Sequence, residues 1–127
     1  MKYVILCILA LSFISCQGIN NTPPLSYDLK QNYPNPFTDT TWIIYGVPAV
    51  GKNDTGPWVR IVIKDRFDQT EATLVDTYNH PAGVDTVLWN GRGANYQKVP
   101  AGIYYIELQQ LNGNDVYVQG RQVALKQ

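Results

Sequence analysis

Cysteine, histidine and charge are scarce in this chain of 127 residues. There are two cysteines, one histidine and as many acidic as basic side chains. The zero formal net charge argues against a surface built for nucleic acid or for polybasic membrane binding. A lone histidine, His80, cannot build a zinc site without partners, and it reads as a surface loop residue. Cys16 and Ser26 lie in or beside an N-terminal tether, and no serine or cysteine follows them to act as a nucleophile beside a base. No constellation of nucleophile, base and orienting group is visible, so an enzyme is not expected, and no cofactor or metal is implied. The acidic run Asp65, Asp68 and Glu71 lacks the permissive glycine of a calcium loop and has Phe67 in its middle. The two glycines of GRGAN, 91–95, are followed by no helix that could bind phosphate; a tight turn, capped by Arg92 on backbone carbonyls, is the better reading.

A long apolar run is also missing. Residues 3–14 are apolar after the basic Lys2, which suits the helix of a secretory signal and falls short of the ~20 residues that span a bilayer. Ser15 and Cys16 follow, and the segment resembles a bacterial lipoprotein signal. Cys7 would leave with the signal, and lipidation of Cys16 would remove an unpaired thiol from an oxidising compartment and supply the two or more acyl chains that stable anchoring needs. Gln17 is not the aspartate that retains some lipoproteins at the inner membrane, which favours the outer membrane. Residues 1–15 are thus expected to be a signal, 16–28 a lipidated tether stiffened by Pro23 and Pro24, and 29–127 one folded domain.

Glycine, proline and aromatics are plentiful, as a small β-rich domain with many turns requires. Strand-like runs stand at 41–47, 58–65, 72–76, 84–90, 102–111 and 116–126, with a polar turn at 66–71. Val59, Ile61 and Ile63 alternate with Arg60 and Lys64; Tyr104, Ile106 and Leu108 share one face, as do Val87 and Trp89. Asn112-Gly113 marks a hairpin, and Gly120 permits a bend or bulge. No helix-period stripe follows the signal, and the pattern predicts an all-β antiparallel sandwich of about seven strands. Trp42, Trp58, Trp89, Tyr45, Tyr104 and Phe37 are the core candidates.

The stretches LKQNYPNPFTDTT, TLVD with PAGVDTVLWNGR, VPAGIYYIEL and GRQVALKQ together resemble the immunoglobulin-like domain of flagellar hook-capping proteins. They resemble still more the C-terminal sorting domain of type IX secretion cargo in Bacteroidota. The resemblance implies an immunoglobulin-like sandwich whose Asn-Pro-Phe segment packs against one end. Tyr33 and Phe37 would plug the core there, and Asp39 and Thr40 would bond backbone where the strand starts. The chain departs from the pattern at Asp65-Arg66-Phe67-Asp68-Gln69, where the family has Gly-Arg, and at Asn90, where Asp is common.

The expected function is that of a cell-envelope lipoprotein presenting an immunoglobulin-like module to an envelope protein partner, as an accessory or subunit of a larger surface assembly. The membrane is reached through lipid on Cys16. The expected interaction edge is the last strand, with Tyr117, Gln119, Arg121, Val123 and Leu125. One alternative is a type IX sorting domain or cargo that contacts the secretion machinery. Another is a polysaccharide-binding module using Tyr96, Tyr105 and Tyr117.

Overall fold

The computed structural model describes residues 22–51 and 55–127; Cys7, Cys16, Gln17 and the expected signal lie outside them. The described residues form seven strands: β1 (Asp28–Leu29), β2 (Thr41–Val47), β3 (Trp58–Lys64), β4 (Thr70–Thr77), β5 (Gly83–Trp89), β6 (Gly102–Asn112) and β7 (Asp115–Lys126). They make two antiparallel sheets, one in the order β1-β2-β5 and the other β4-β3-β6-β7. The chain changes sheet between β2 and β3, between β4 and β5, and between β5 and β6, so hairpins alternate with crossovers as in an immunoglobulin-like sandwich. Among the described residues no helix is long and apolar enough to cross a membrane.

The core is the set of inward positions of both sheets. Ile43, Tyr45, Val47 and Trp89 come from one sheet and Val59, Ile61, Ile63, Tyr104, Ile106, Leu108 and Ala124 from the other. Trp89 is the hub, with the Phe37 ring 5.2 Å away and the Tyr104 ring 5.4 Å away in edge contact. The Tyr104 hydroxyl donates to the Pro100 carbonyl at 2.6 Å. This is the tyrosine corner of immunoglobulin-like folds, and it ties the start of β6 to the loop that delivers it.

Three aromatic assignments differ from the sequence reading. Trp42 is 51% exposed and Tyr33 76%, whereas Phe37 is 1% exposed. Every residue of β2 but Thr41 and Gly46 is large and apolar, so alternation cannot be read from it; the register with β5 decides, placing Ile43, Tyr45 and Val47 inward and Trp42 and Ile44 outward. Tyr33 exchanges both backbone hydrogen bonds with Trp42, which puts its ring on the same outer face. Trp58, another core candidate, lies half-buried on the outside of the second sheet, stacked on Tyr78 at 4.1 Å.

β4 also starts earlier than the polar turn suggested. Asp65 Oδ1 accepts from the backbone N–H groups of Phe67 and Gln69, at 2.8 and 2.9 Å, and Asp68 adopts φ 65°. With two backbone bonds, this side chain closes the turn within 65–69, leaving Thr70 free to pair with Lys64 while Glu71 bulges out of the ladder. At the other end of the sheet Gly113, at φ 60°, opens a two-residue connection between β6 and β7.

Candidate interaction surface

Among the described residues the predicted edge strand is an edge: β7 pairs with β6 on one side and with no other named strand. Its ladder is interrupted. Gln109 pairs with Val118, but Leu108 pairs with Gly120, so Gln119 is an extra residue. The bulge reverses the alternation. Arg121, Val123 and Leu125 lie opposite Glu107, Tyr105 and Ile103 on the outer face, while Tyr117 lies opposite Gln110 on the other side. The five residues expected to share one edge pattern are therefore divided, with Val116 and Val118 taking the outer positions before the bulge. Gly120 is where Leu29 presses in, since a Cβ there would fall 2.9 Å from Leu29 Cβ.

The second half of this edge is already occupied by the proline-rich segment. Gln31 Nε2 and Asn35 Nδ2 both donate to the Val123 carbonyl at 3.0 Å, and Asn35 Oδ1 accepts from Leu125 N–H at 2.8 Å. Phe37 N–H then donates to the Leu125 carbonyl and Gln127 N–H to the Phe37 carbonyl, both at 2.9 Å. The Val123 carbonyl and both outward backbone groups of Leu125 are thus spent within the domain. Both prolines of the segment follow cis peptide bonds, Tyr33–Pro34 and Asn35–Pro36. The side chains bonding at the strand's start are not Asp39 and Thr40 but Asn32 and Thr41. Asn32 Nδ2 donates to Thr41 Oγ1 at 2.9 Å, and Thr41 Oγ1 donates to the Pro34 carbonyl at 2.8 Å. Asp39 instead faces Lys98 at 3.8 Å in solvent.

What stays open on β7 is the stretch 116–121. Its outer face carries Val116 and Val118, about half exposed, continuing past Arg121 to Val123, Leu125 and, on β6, Ile103. Arg121 covers the Tyr105 ring at 4.1 Å, and its Nε lies 3.8 Å from Glu107 Oε2. Glu107 is buried on this face by Arg121, by Lys64 Nζ at 3.5 Å and by Gln109 Nε2 donating at 3.0 Å. The outer face thus has a charge-paired centre flanked by exposed apolar side chains.

His80 is buried, contrary to the reading of it as a surface loop residue. Its Nδ1 lies 2.8 Å from the Pro81 carbonyl and must donate there, because a carbonyl only accepts. Its Nε2 lies 3.0 Å from the Tyr45 hydroxyl, which also reaches Asp85 Oδ2 at 3.5 Å. Sequence inspection missed this pair because Tyr45 stands on β2 and His80 in the loop between β4 and β5. Burial, with Asp85 beside it, pushes the Tyr45 phenol up to about 12.

The other candidates are dispersed. Arg92 Nη1 does donate to the Tyr96 carbonyl at 2.9 Å, closing the turn as expected. Tyr96, Tyr105 and Tyr117 do not form one platform: Tyr96 tops that turn, Tyr105 lies beneath Arg121, and Tyr117 faces away from Tyr105. The exposed stack is Trp58 on Tyr78, fixed by Trp58 Nε1 donating to Asp76 Oδ1 at 2.5 Å. An open cleft of about 530 Å³ lies between the 65–67 turn and the 100–104 segment, walled by Phe67 and Ile103. Among the described residues no group of three metal-ligating side chains converges.

No family model matches the chain, and no curated protein matches it. Among solved structures, the sandwich is similar to part of dimeric latent PorU from Porphyromonas gingivalis, with a TM-score of 0.61 and 17% identity over 80% of this chain. At that identity the likeness is one of fold. The match spans 9% of the PorU chain.

Proposed function

We propose that the protein is a non-enzymatic, lipid-anchored envelope component whose sandwich binds an extended segment of a protein partner along the open stretch of β7. The observation that carries this reading is the clasp at 31–37. The same edge already accepts an extended segment of its own chain through Leu125 and Gln127, so the neighbouring backbone is shaped for strand addition. Backbone hydrogen bonds would supply affinity, and Val116, Val118 and Arg121 would select the segment. The pairing of Asn112 with Asp115 across a two-residue turn directs the backbone of Asp115 and Tyr117 toward β6 and that of Val116 and Val118 outward. Val118→Pro therefore removes an outward donor and spares the ladder. The variant is expected to fold with an unchanged circular dichroism spectrum and to lose co-purification of the partner cross-linked to the wild type in its own membranes; full retention of that partner counts against the edge.

A second reading is the type IX sorting domain. The four motif stretches support it, and the fold of a part of PorU supports it at the level of architecture. In this reading the segment GRQVALKQ would be recognised as a folded strand, since it is pinned on both sides. Localisation of the Cys16→Ser chain in cells with and without the type IX translocon distinguishes the two; identical localisation in both backgrounds excludes sorting.

A further inference from the structure

The outer face of the β1-β2-β5 sheet is largely apolar and, among the described residues, covered only by Pro24 at Gly46. Its cross-strand rows are legible from the register. Tyr33, Trp42 and Leu88 form one row, Ile44 and Thr86 the next, and Gly46 and Val84 the third. Tyr33, Trp42, Ile44, Val84 and Leu88 are all exposed large side chains, and β5 leaves a free strand edge beside them. The charges on this side are neutralised in a pair, Lys30 Nζ to Asp28 Oδ2 at 2.7 Å. Tyrosine and tryptophan with a flanking lysine are the residues that suit a water–lipid boundary, where rings sit among headgroups and a lysine can reach back to water.

The chain itself says which side faces the bilayer. Pro24 packs on this face: a Cβ at Gly46, in the third row, would lie 2.8 Å from Pro24 Cγ. The segment that leads toward Cys16 thus leaves the domain across the same surface that carries Trp42 and Val84. Five residues lie between Cys16 and Thr22, and the six chain steps reach at most about 20 Å when extended. A sandwich held so close, by a leash departing from its apolar face, presents that face to the anchor.

We infer that the outer face of the three-stranded sheet rests on the lipid surface, with Trp42 and Tyr33 in the headgroup region, so that the β7 edge on the opposite sheet points to the partner. The inference rests on the lipid-anchored reading given above.

The test uses the full chain, recovered from the membrane fraction of a bacterial host and reconstituted in phosphatidylcholine vesicles whose acyl chains carry bromine. Intact mass and co-sedimentation report the anchor; tryptophan quenching reports the face. Trp58, on the outside of the other sheet, and Trp89, in the core, serve as internal references. The expected result is an acylated, sedimenting protein that loses Trp42 emission in brominated vesicles. Trp42→Phe should show no such loss, and Leu88→Glu should restore the emission while remaining bound to vesicles. An acylated, sedimenting protein with unquenched Trp42 overturns the orientation and leaves the lipid-anchored reading standing. If that protein also cross-links to itself through β5, a second copy covers the face. A chain without acyl mass that fails to sediment removes the anchor and the orientation together.

Discussion

The Tyr45 hydroxyl lies 3.0 Å from His80 Nε2 and 3.5 Å from Asp85 Oδ2, bridging β2, the 78–82 loop and β5 at one end of the sandwich. A buried phenol hemmed in this way resists ionisation, and its proton is held more tightly in the folded chain than in the unfolded one.

Alkaline stability follows from that. The Tyr45 phenol is raised from 10.0 to about 12, so between these values the folded state binds more protons than the unfolded state. Stability conferred by this group is complete below pH 10 and falls as pH rises through 12. Burial raises the Tyr27 and Tyr104 phenols too, with Glu71 and Asp65 adding to the effect at Tyr104, so the three act in one direction. Urea midpoints measured from pH 8 to 12 should decline, and the decline should be shallower in Tyr45→Phe.

Tyr104→Phe removes one hydrogen bond and little else. The Pro100 carbonyl loses its 2.6 Å partner while the ring stays against Trp89. Equilibrium urea unfolding should show a loss of about 1 kcal/mol. An unchanged midpoint would mean that the corner contributes nothing to stability.

Phe37→Ala should be far costlier, because the ring is fully buried against Trp89 and also carries the clasp onto β7. A loss of about 3–5 kcal/mol is expected from the cavity and lost transfer energy. Tyr33→Ala, on the exposed side of the same prolines, should move the midpoint by less than about 0.5 kcal/mol. Comparable losses for the two would contradict the assignment of inside and outside.

Gly120→Ala tests the bulge. The added methyl would fall 2.9 Å from Leu29 Cβ, so β1 or the bulge must shift, at a cost of about 1–3 kcal/mol. Hydrogen exchange should show the Lys30 amide opening faster, since Lys30 follows the displaced Leu29 and donates to the Ile44 carbonyl.

The sandwich and six of its strands were legible from alternation and turn chemistry; Phe37, Trp89 and Tyr104 were core candidates as large aromatics, and they are buried. The two-residue β1 was not, since a strand that short carries no periodicity. Trp42 was misplaced because β2 is apolar on both faces, and only its partner strand decides which side is inside. The division of Tyr117 from Arg121 was hidden for a different reason: Gly120 signalled a bulge, but the residue count opposite it is a property of β6. His80 and Tyr45 stand 35 positions apart, and nothing local marks either as the other's partner.

The clasp also has a mechanical consequence. Phe37 meets Lys126 in a parallel bridge, with hydrogen bonds on both sides of it to Leu125 and Gln127. A force drawing residue 22 away from residue 127 would load these bonds along the strand direction and strain them at the same moment. They would have to fail together, as a lap joint does.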